Sequence, residues 1–302
     1  RTAVARLYHS AQADRVCVCN GAEEAVFVTL LALVDPGDTV AIPDPDYPAY
    51  SSICKILDAN VIRLPYESDL SSVDWARWES LLSSGVKALL FSHPSNPCGH
   101  VFSEDEVERL AGICAKNGVA IVVDGIYEEL YFSERPPSFS GRMDSLFMIG
   151  GLSKSHCMSG WRLGWVVAPP SLAASVIKAR QYVSTCSNWL SQHLGVFALS
   201  STGMQSAKTA LGLLKGSRRF ALQRMGQSLE RVLVPPASPF LMLKVDGDDL
   251  EFSQNLARKG VICVPGSAFG EVSRGWLRVN IGVPEDKLSP ALDIICDELS
   301  LH

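Results

Sequence analysis

Short apolar runs recur along this chain, each separated from the next by enough residues for one helix. Seven of them stand out: Val16–Cys19, Thr39–Pro43, Asn60–Leu64, Lys87–Ser92, Val119–Val123, Leu146–Ile149 and Gly164–Ala168. Runs this short, rich in β-branched residues and nearly continuous in hydrophobicity, are what strands buried on both faces require. Several of the intervals carry helical signals. Ser103-Glu104-Asp105-Glu106 reads as a capping box, Val107, Leu110, Ala111 and Cys114 fall on one face, and Gly118 is a stop. Asn20-Gly21-Ala22-Glu23 reads as another start, with Asn20 as the cap of a helix running to about Val34. The alternation predicts an α/β fold whose large domain is built on a mainly parallel seven-stranded sheet covered by helices.

The pattern changes after Pro169-Pro170. Residues 171–200 and 205–234 read as long helices, with Arg180, Arg218 and Arg219 on polar faces. Phe240–Val245, Val261–Pro265 and Trp276–Ile281 read as strands, interrupted by a helix over Leu250–Lys259 and closed by one over Asp286–Leu299. A chain of 302 residues has room for two domains. The expected division is 1–200 for the large domain and 201–302 for a smaller C-terminal α/β domain. The sequence opens at Arg1 without a signal-peptide pattern, and no N-terminal arm is recognised.

Composition removes several classes of function. The net charge is −5, which gives no basic field for nucleic acid or an anionic membrane. No apolar run approaches the roughly 18 residues of a membrane span. Nine cysteines, an odd number without a CxxC pair, suggest free thiols in a reducing, cytoplasmic setting. Cys17 and Cys19 lie two apart on a strand and so share a face, as packing residues do.

In an open parallel sheet, ligands sit beyond the carboxyl ends of the strands. The residues found there are NGAEE after the first run, PDPDYPAY after the second, HPSNPCG after the fourth, DGIYEELY after the fifth and GGLSK after the sixth. That rule gathers Gly21, Ala22, Glu23, Tyr47, Asn96, Asp124, Tyr127 and Lys154 on one rim. Each residue alone has an ordinary structural explanation, such as a helix start, a turn or a surface lysine. Their convergence is the informative signal.

The set resembles the fold-type I pyridoxal 5′-phosphate (PLP) enzymes, and within them the class I/II aminotransferases. The matching stretches are NGAEEAVFVTLLALVDPGD, PDPDYPAY, SHPSNPCG, VVDGIYEELYF, LSKSHCMSGWRLGW and GWLRVNIG, in family order from about residue 20 to 282. The resemblance implies that Ser153-Lys154 is the Schiff-base site, with Lys154 as anchor and proton shuttle. It implies that Asp124 faces the pyridine nitrogen and that Asn96 and Tyr127 bond the phenolic oxygen. Tyr47 would stack on the ring. Gly21, Ala22 and Glu23 would offer backbone N–H groups to the phosphate, with Arg162 as its bidentate partner. Arg278 would take the substrate α-carboxylate, and Asn96 lies with it on the substrate side. The implied activity is transfer of the amino group of an α-amino acid to a 2-oxo acid, in a homodimer serving amino-acid metabolism or biosynthesis. A β-lyase, cyclase or oxidase on the same scaffold is the alternative chemistry, and an aminotransferase-like sensor domain a further one.

The chain departs from the family at two cofactor positions. Gly151 stands where many relatives have a serine that touches the phosphate, and Cys98 replaces the threonine of the Asn-Pro-Thr-Gly turn. His93, His100 and His156 fall near the rim, but without a second ligand at metal spacing they read as bystanders, and no metal site is expected.

Overall fold

The computed structural model describes residues 1–9 and 11–300, apart from the side chain of Gln227. Among these residues the strands are β1 (Val16–Cys19), β2 (Thr39–Asp44), β3 (Asn60–Pro65), β4 (Ala88–Ser92), β5 (Ala120–Asp124), β6 (Leu146–Gly151), β7 (Gly164–Val167), β8 (Val232–Leu233), β9 (Phe240–Lys244), β10 (Val264–Pro265) and β11 (Trp276–Asn280). The helices are α1 (Thr2–Ala5), α2 (Ala22–Leu33), α3 (Pro48–Ile56), α4 (Trp75–Leu82), α5 (Glu104–Asn117), α6 (Ala173–Ser184), α7 (Trp189–Ala198), α8 (Ser201–Met225), α9 (Asp249–Arg258) and α10 (Glu285–Ser300).

The first seven strands form one sheet in the order β1-β7-β6-β5-β4-β2-β3. The strands from β6 to β3 run parallel, whereas β7 is antiparallel to both β6 and β1. Alternation along β5 shows why its sequence is apolar throughout. Ile121 and Val123 join one core, and Ala120 and Val122 join the other on the opposite face. Fully burying a side chain of this size stabilises the fold by roughly 1.5–3 kcal/mol. A third core surrounds the second sheet, β10-β11-β9-β8, with α8, α9 and α10 against it.

Most expected elements form within a residue or two of their expected ends. Ser103 and Glu106 close a reciprocal capping box on α5, and Gly118 ends it at φ +68°. Five local readings are corrected. The cap of α2 is Gly21 rather than Asn20, because the chain enters the helix at φ +100°. Asn20 instead bonds Glu24 one turn on. The expected single helix over 171–200 is two helices, broken where Thr185 takes φ +56°. The next helix ends at Met225, followed by a 3₁₀ turn rather than continuing to Val234. The strand expected over Val261–Pro265 shrinks to β10. Arg218, expected on a polar face, is partly buried, donates to the Pro235 carbonyl at 3.2 Å and lies over the Phe132 ring.

Candidate active site

Parallel strands deliver their carboxyl ends to one edge of the sheet, and that edge opens into a cavity of about 370 Å³. Its wall includes Ala22, Glu23, Tyr47, Asn96, Asp124, Tyr127, Ser153, Lys154, Arg162 and Arg278. Gly21 lies immediately behind, against Arg162. The three histidines are elsewhere: His93 accepts from the Phe102 N–H, His100 bonds the Ser71 carbonyl and His156 the Ala198 carbonyl. A larger cavity of about 740 Å³ opens at the other end of the sheet, beside Gly118, Val119 and Leu146, and contains none of the expected site residues.

Close backbone approach shapes the phosphate end. A Cβ at Gly21 would lie 2.5 Å from Arg162 Nη2, and one at Gly164 would lie 2.5 Å from the Ala22 nitrogen. Glycine at these positions lets the start of β7 and the guanidinium of Arg162 come up against the first turn of α2. No side chain caps that turn, so its N–H groups and positive dipole end face a cation-bearing cavity. An anion fits there. Gly151 contributes no hydroxyl, and any side chain at that position would press on Ile126 Cδ1 at 3.0 Å and the Leu163 carbonyl at 3.1 Å.

At the centre, Asp124 is buried at the end of β5. Its Oδ2 accepts from the Tyr50 hydroxyl at 2.8 Å and its Oδ1 from the Ile126 N–H at 3.1 Å. Burial raises its pKa to about 6, opposed by those two hydrogen bonds and by Lys154. Lys154 projects into the open cavity, with Nζ 5.9 Å from the centre of the Tyr127 ring. Desolvation lowers its pKa, Arg278 and Arg162 add to that, and Asp124 pulls the other way. This combination favours a neutral amine, the form that acts as nucleophile and base.

The opposite wall comes from the small sheet. Arg278 lies in the middle of β11, with its guanidinium 4.1 Å from the Phe240 ring centre and 4.8 Å from that of Phe269. Its Nη1 donates to Asn96 Oδ1 at 2.8 Å. Its Nε is buried without a hydrogen-bond partner among the described residues. Such an orphaned donor suits a carboxylate.

Sequence reasoning missed Tyr50, Ser92 and Asp46. Tyr50 is the second tyrosine of PDPDYPAY, one helical turn beyond Tyr47, and its ring meets that of Tyr47 edge-on at 5.5 Å. Ser92 is the last residue of β4 and sits in register beside Asp124. The strand-end rule that found Asp124 reaches Ser92 as well.

Comparisons with known proteins show the family. The chain matches the Aminotransferase class I and II family over residues 1–295. It is 31% identical over 299 residues to an aspartate aminotransferase of Thermotoga maritima, covering 95% of this chain and 76% of that protein. A probable N-acetyl-LL-diaminopimelate aminotransferase of Bacillus subtilis is 29% identical, with the same coverage. The crystal structure of the Thermotoga maritima aspartate aminotransferase superposes with a TM-score of 0.88 at 29% identity, over 95% of this chain and 76% of that one. An aromatic aminotransferase from Pyrococcus horikoshii shares the fold at a TM-score of 0.92 and 23% identity, over 99% of this chain and 85% of that one. The chain therefore belongs to the class I and II aminotransferases, enzymes that use pyridoxal 5′-phosphate to move an amino group from an amino acid to a 2-oxo acid.

Proposed function

We propose that the rim cavity is the transamination site, with Lys154 as the point of cofactor attachment. The observation that carries this is the meeting of Lys154, Asp124, Asn96, Tyr127, Arg162 and Arg278 around one cavity of about 370 Å³. When bound, PLP supplies an aldehyde that condenses with amines and a pyridinium ring that draws electrons from a bond at Cα. Asp124 keeps a proton on the pyridine nitrogen. Asn96 and Tyr127 would hold the phenolic oxygen, and Tyr47 would cover one ring face. The N–H groups of Gly21, Ala22 and Glu23, with Arg162 and the neighbouring Ser153, hold the phosphate. Arg278, steadied by Asn96, grips the substrate α-carboxylate and so orients the Cα–H bond. Lys154 Nζ would be the base that takes that proton and holds it for return.

Residues 1–200 serve as the cofactor domain and 201–302 as the small domain that brings Arg278. The relatives named for aspartate and diaminopimelate make amino acids with a second charged group the first donors to try, with a 2-oxo acid as acceptor. A homodimer is part of the same reading. Tyr182 of α6 and Trp189, Leu190, Val196 and Phe197 of α7 expose large apolar side chains. Gly195 and Ser191 of α7 pack on the loop that carries Arg162. A cytoplasmic setting fits nine unpaired cysteines. No helix among the described residues is long and apolar enough to cross a membrane.

The test is a panel of amino acids added to yellow holoenzyme. One equivalent of the right donor converts the absorbance to the pyridoxamine form, whereas a lyase or cyclase returns to the starting spectrum. Borohydride reduction and peptide mapping should find the cofactor on Lys154. Label on another residue overturns the assignment.

A further inference from the structure

Asp46 is a buried acid that the reaction outlined above does not use. It lies in the loop between β2 and α3, and only 1% of its surface is exposed. Its hydrogen-bond partners are all neutral. Oδ1 accepts from the Ser92 hydroxyl at 2.8 Å and from the Tyr47 N–H at 2.7 Å, while Oδ2 faces the Ser92 N–H at 3.3 Å. Burying a carboxylate without a cation is costly, and burial raises its pKa to about 7. A structural turn could be closed by a cheaper group.

The bonds lead into the site. Ser92 Oγ, having donated to Asp46, accepts the Asn96 N–H at 2.8 Å. Asn96 Oδ1 in turn accepts from Arg278 Nη1 at 2.8 Å. The backbone of Asp46 adds a second connection, since its N–H donates to the Phe269 carbonyl at 3.2 Å and the Phe269 ring lies against Arg278. Sheet order explains the meeting. β4 lies between β2 and β5, so the loop after β2 reaches across to the end of β4.

We propose that Asp46 is a positioning residue that sets Asn96 through Ser92, and Tyr47 through its backbone, and so holds the carboxylate-binding wall in register with the cofactor wall. The inference rests on the site assignment above, from which Asn96 takes its role. It explains why a carboxylate occupies this point. All three groups facing Asp46 are donors, so an asparagine would turn its own amide hydrogens toward one of them.

The experiment compares D46N, S92A, the D46N/S92A double variant and N96A as reference, all as holoenzyme with the donor found by the panel. Four quantities are read: kcat and KM for the donor, the pH at which the bound cofactor's visible absorbance titrates, and the melting temperature. A misplacement on the scale of 1 Å costs up to about 10²-fold in efficiency. D46N and S92A should therefore each lower kcat/KM by roughly 10- to 100-fold and move the absorbance titration in the direction that N96A moves it. The double variant should be little worse than the worse single variant, as members of one chain of bonds are. S92A removes only a hydroxyl and carries the test if D46N does not fold. Lower melting temperatures with unchanged KM and absorbance titration would reduce Asp46 to a structural acid and overturn the proposal, as would fully additive effects. If N96A itself changes neither quantity, the role given to Asn96 is wrong and the relay falls with it.

Discussion

The two walls of the cavity are built in different ways. On the large-sheet side, nearly every group sits just beyond a strand, held by backbone geometry. Asp124 ends β5, Asn96 follows β4, Lys154 follows β6, and Arg162 lies against Gly21 at the start of α2. On the small-sheet side one arginine does the work from the middle of a strand, clamped between two aromatic rings. The first wall suits a ligand that stays, because rigid backbone fixes several contacts at once. The second suits a ligand that comes and goes, because a single charged fork carries the recognition. In the proposed assignment, cofactor and substrate are held by structurally separate devices that meet at Asn96.

Substitutions should separate the devices. Lys154→Ala is expected to have the largest effect, lowering turnover by more than about 10⁴-fold because attachment and proton transfer are lost together; spectra with the amino-acid panel check this. Asp124→Asn should lower kcat by roughly 10²–10³-fold, the scale of losing one partner of a buried charge pair. The same variant tests the pH dependence. Asp124 in the cofactor-free protein titrates at about 6, and only its ionised form pairs with a pyridinium. PLP affinity of wild type should therefore weaken as pH falls through 6, measured by fluorescence titration. The variant should lack that component and keep only the titration of the phosphate. Arg278→Lys should raise KM for the donor roughly 10- to 100-fold while leaving the PLP dissociation constant in place. A comparable loss of PLP affinity would show that the walls are not independent. Tyr50→Phe removes one hydrogen bond to a carboxylate and should weaken PLP binding roughly tenfold, with KM for the donor less affected.

The large-sheet wall was legible in the sequence because a topological rule places strand ends on one edge, and short apolar runs mark those ends. Arg278 was not legible that way. A mid-strand arginine carries no positional signal, and only resemblance to a family drew attention to it. Tyr50 and Asp46 were missed because their partners, Asp124 and Ser92, lie 74 and 46 residues away and become neighbours only through the order β5-β4-β2. The helix errors have a local cause. The polar cluster Ser184-Thr185-Cys186-Ser187-Asn188 is a break signal that the single-helix reading of 171–200 passed over: Thr185 takes a positive φ and Asn188 caps α7 by accepting from the Ser191 N–H. At Asn20 the usual preference for a polar cap lost to Gly21, whose positive φ lets α2 begin beside Arg162.

The reversal of β7 has one more consequence. An antiparallel return brings the chain back to the end from which it left, so the segment joining β6 to β7 carries both Lys154 and Arg162 over the same mouth. In the proposed assignment the two holds on the cofactor therefore share one short strap, fastened by neighbouring strands at either side. A single protease nick in that strap should slacken both holds together.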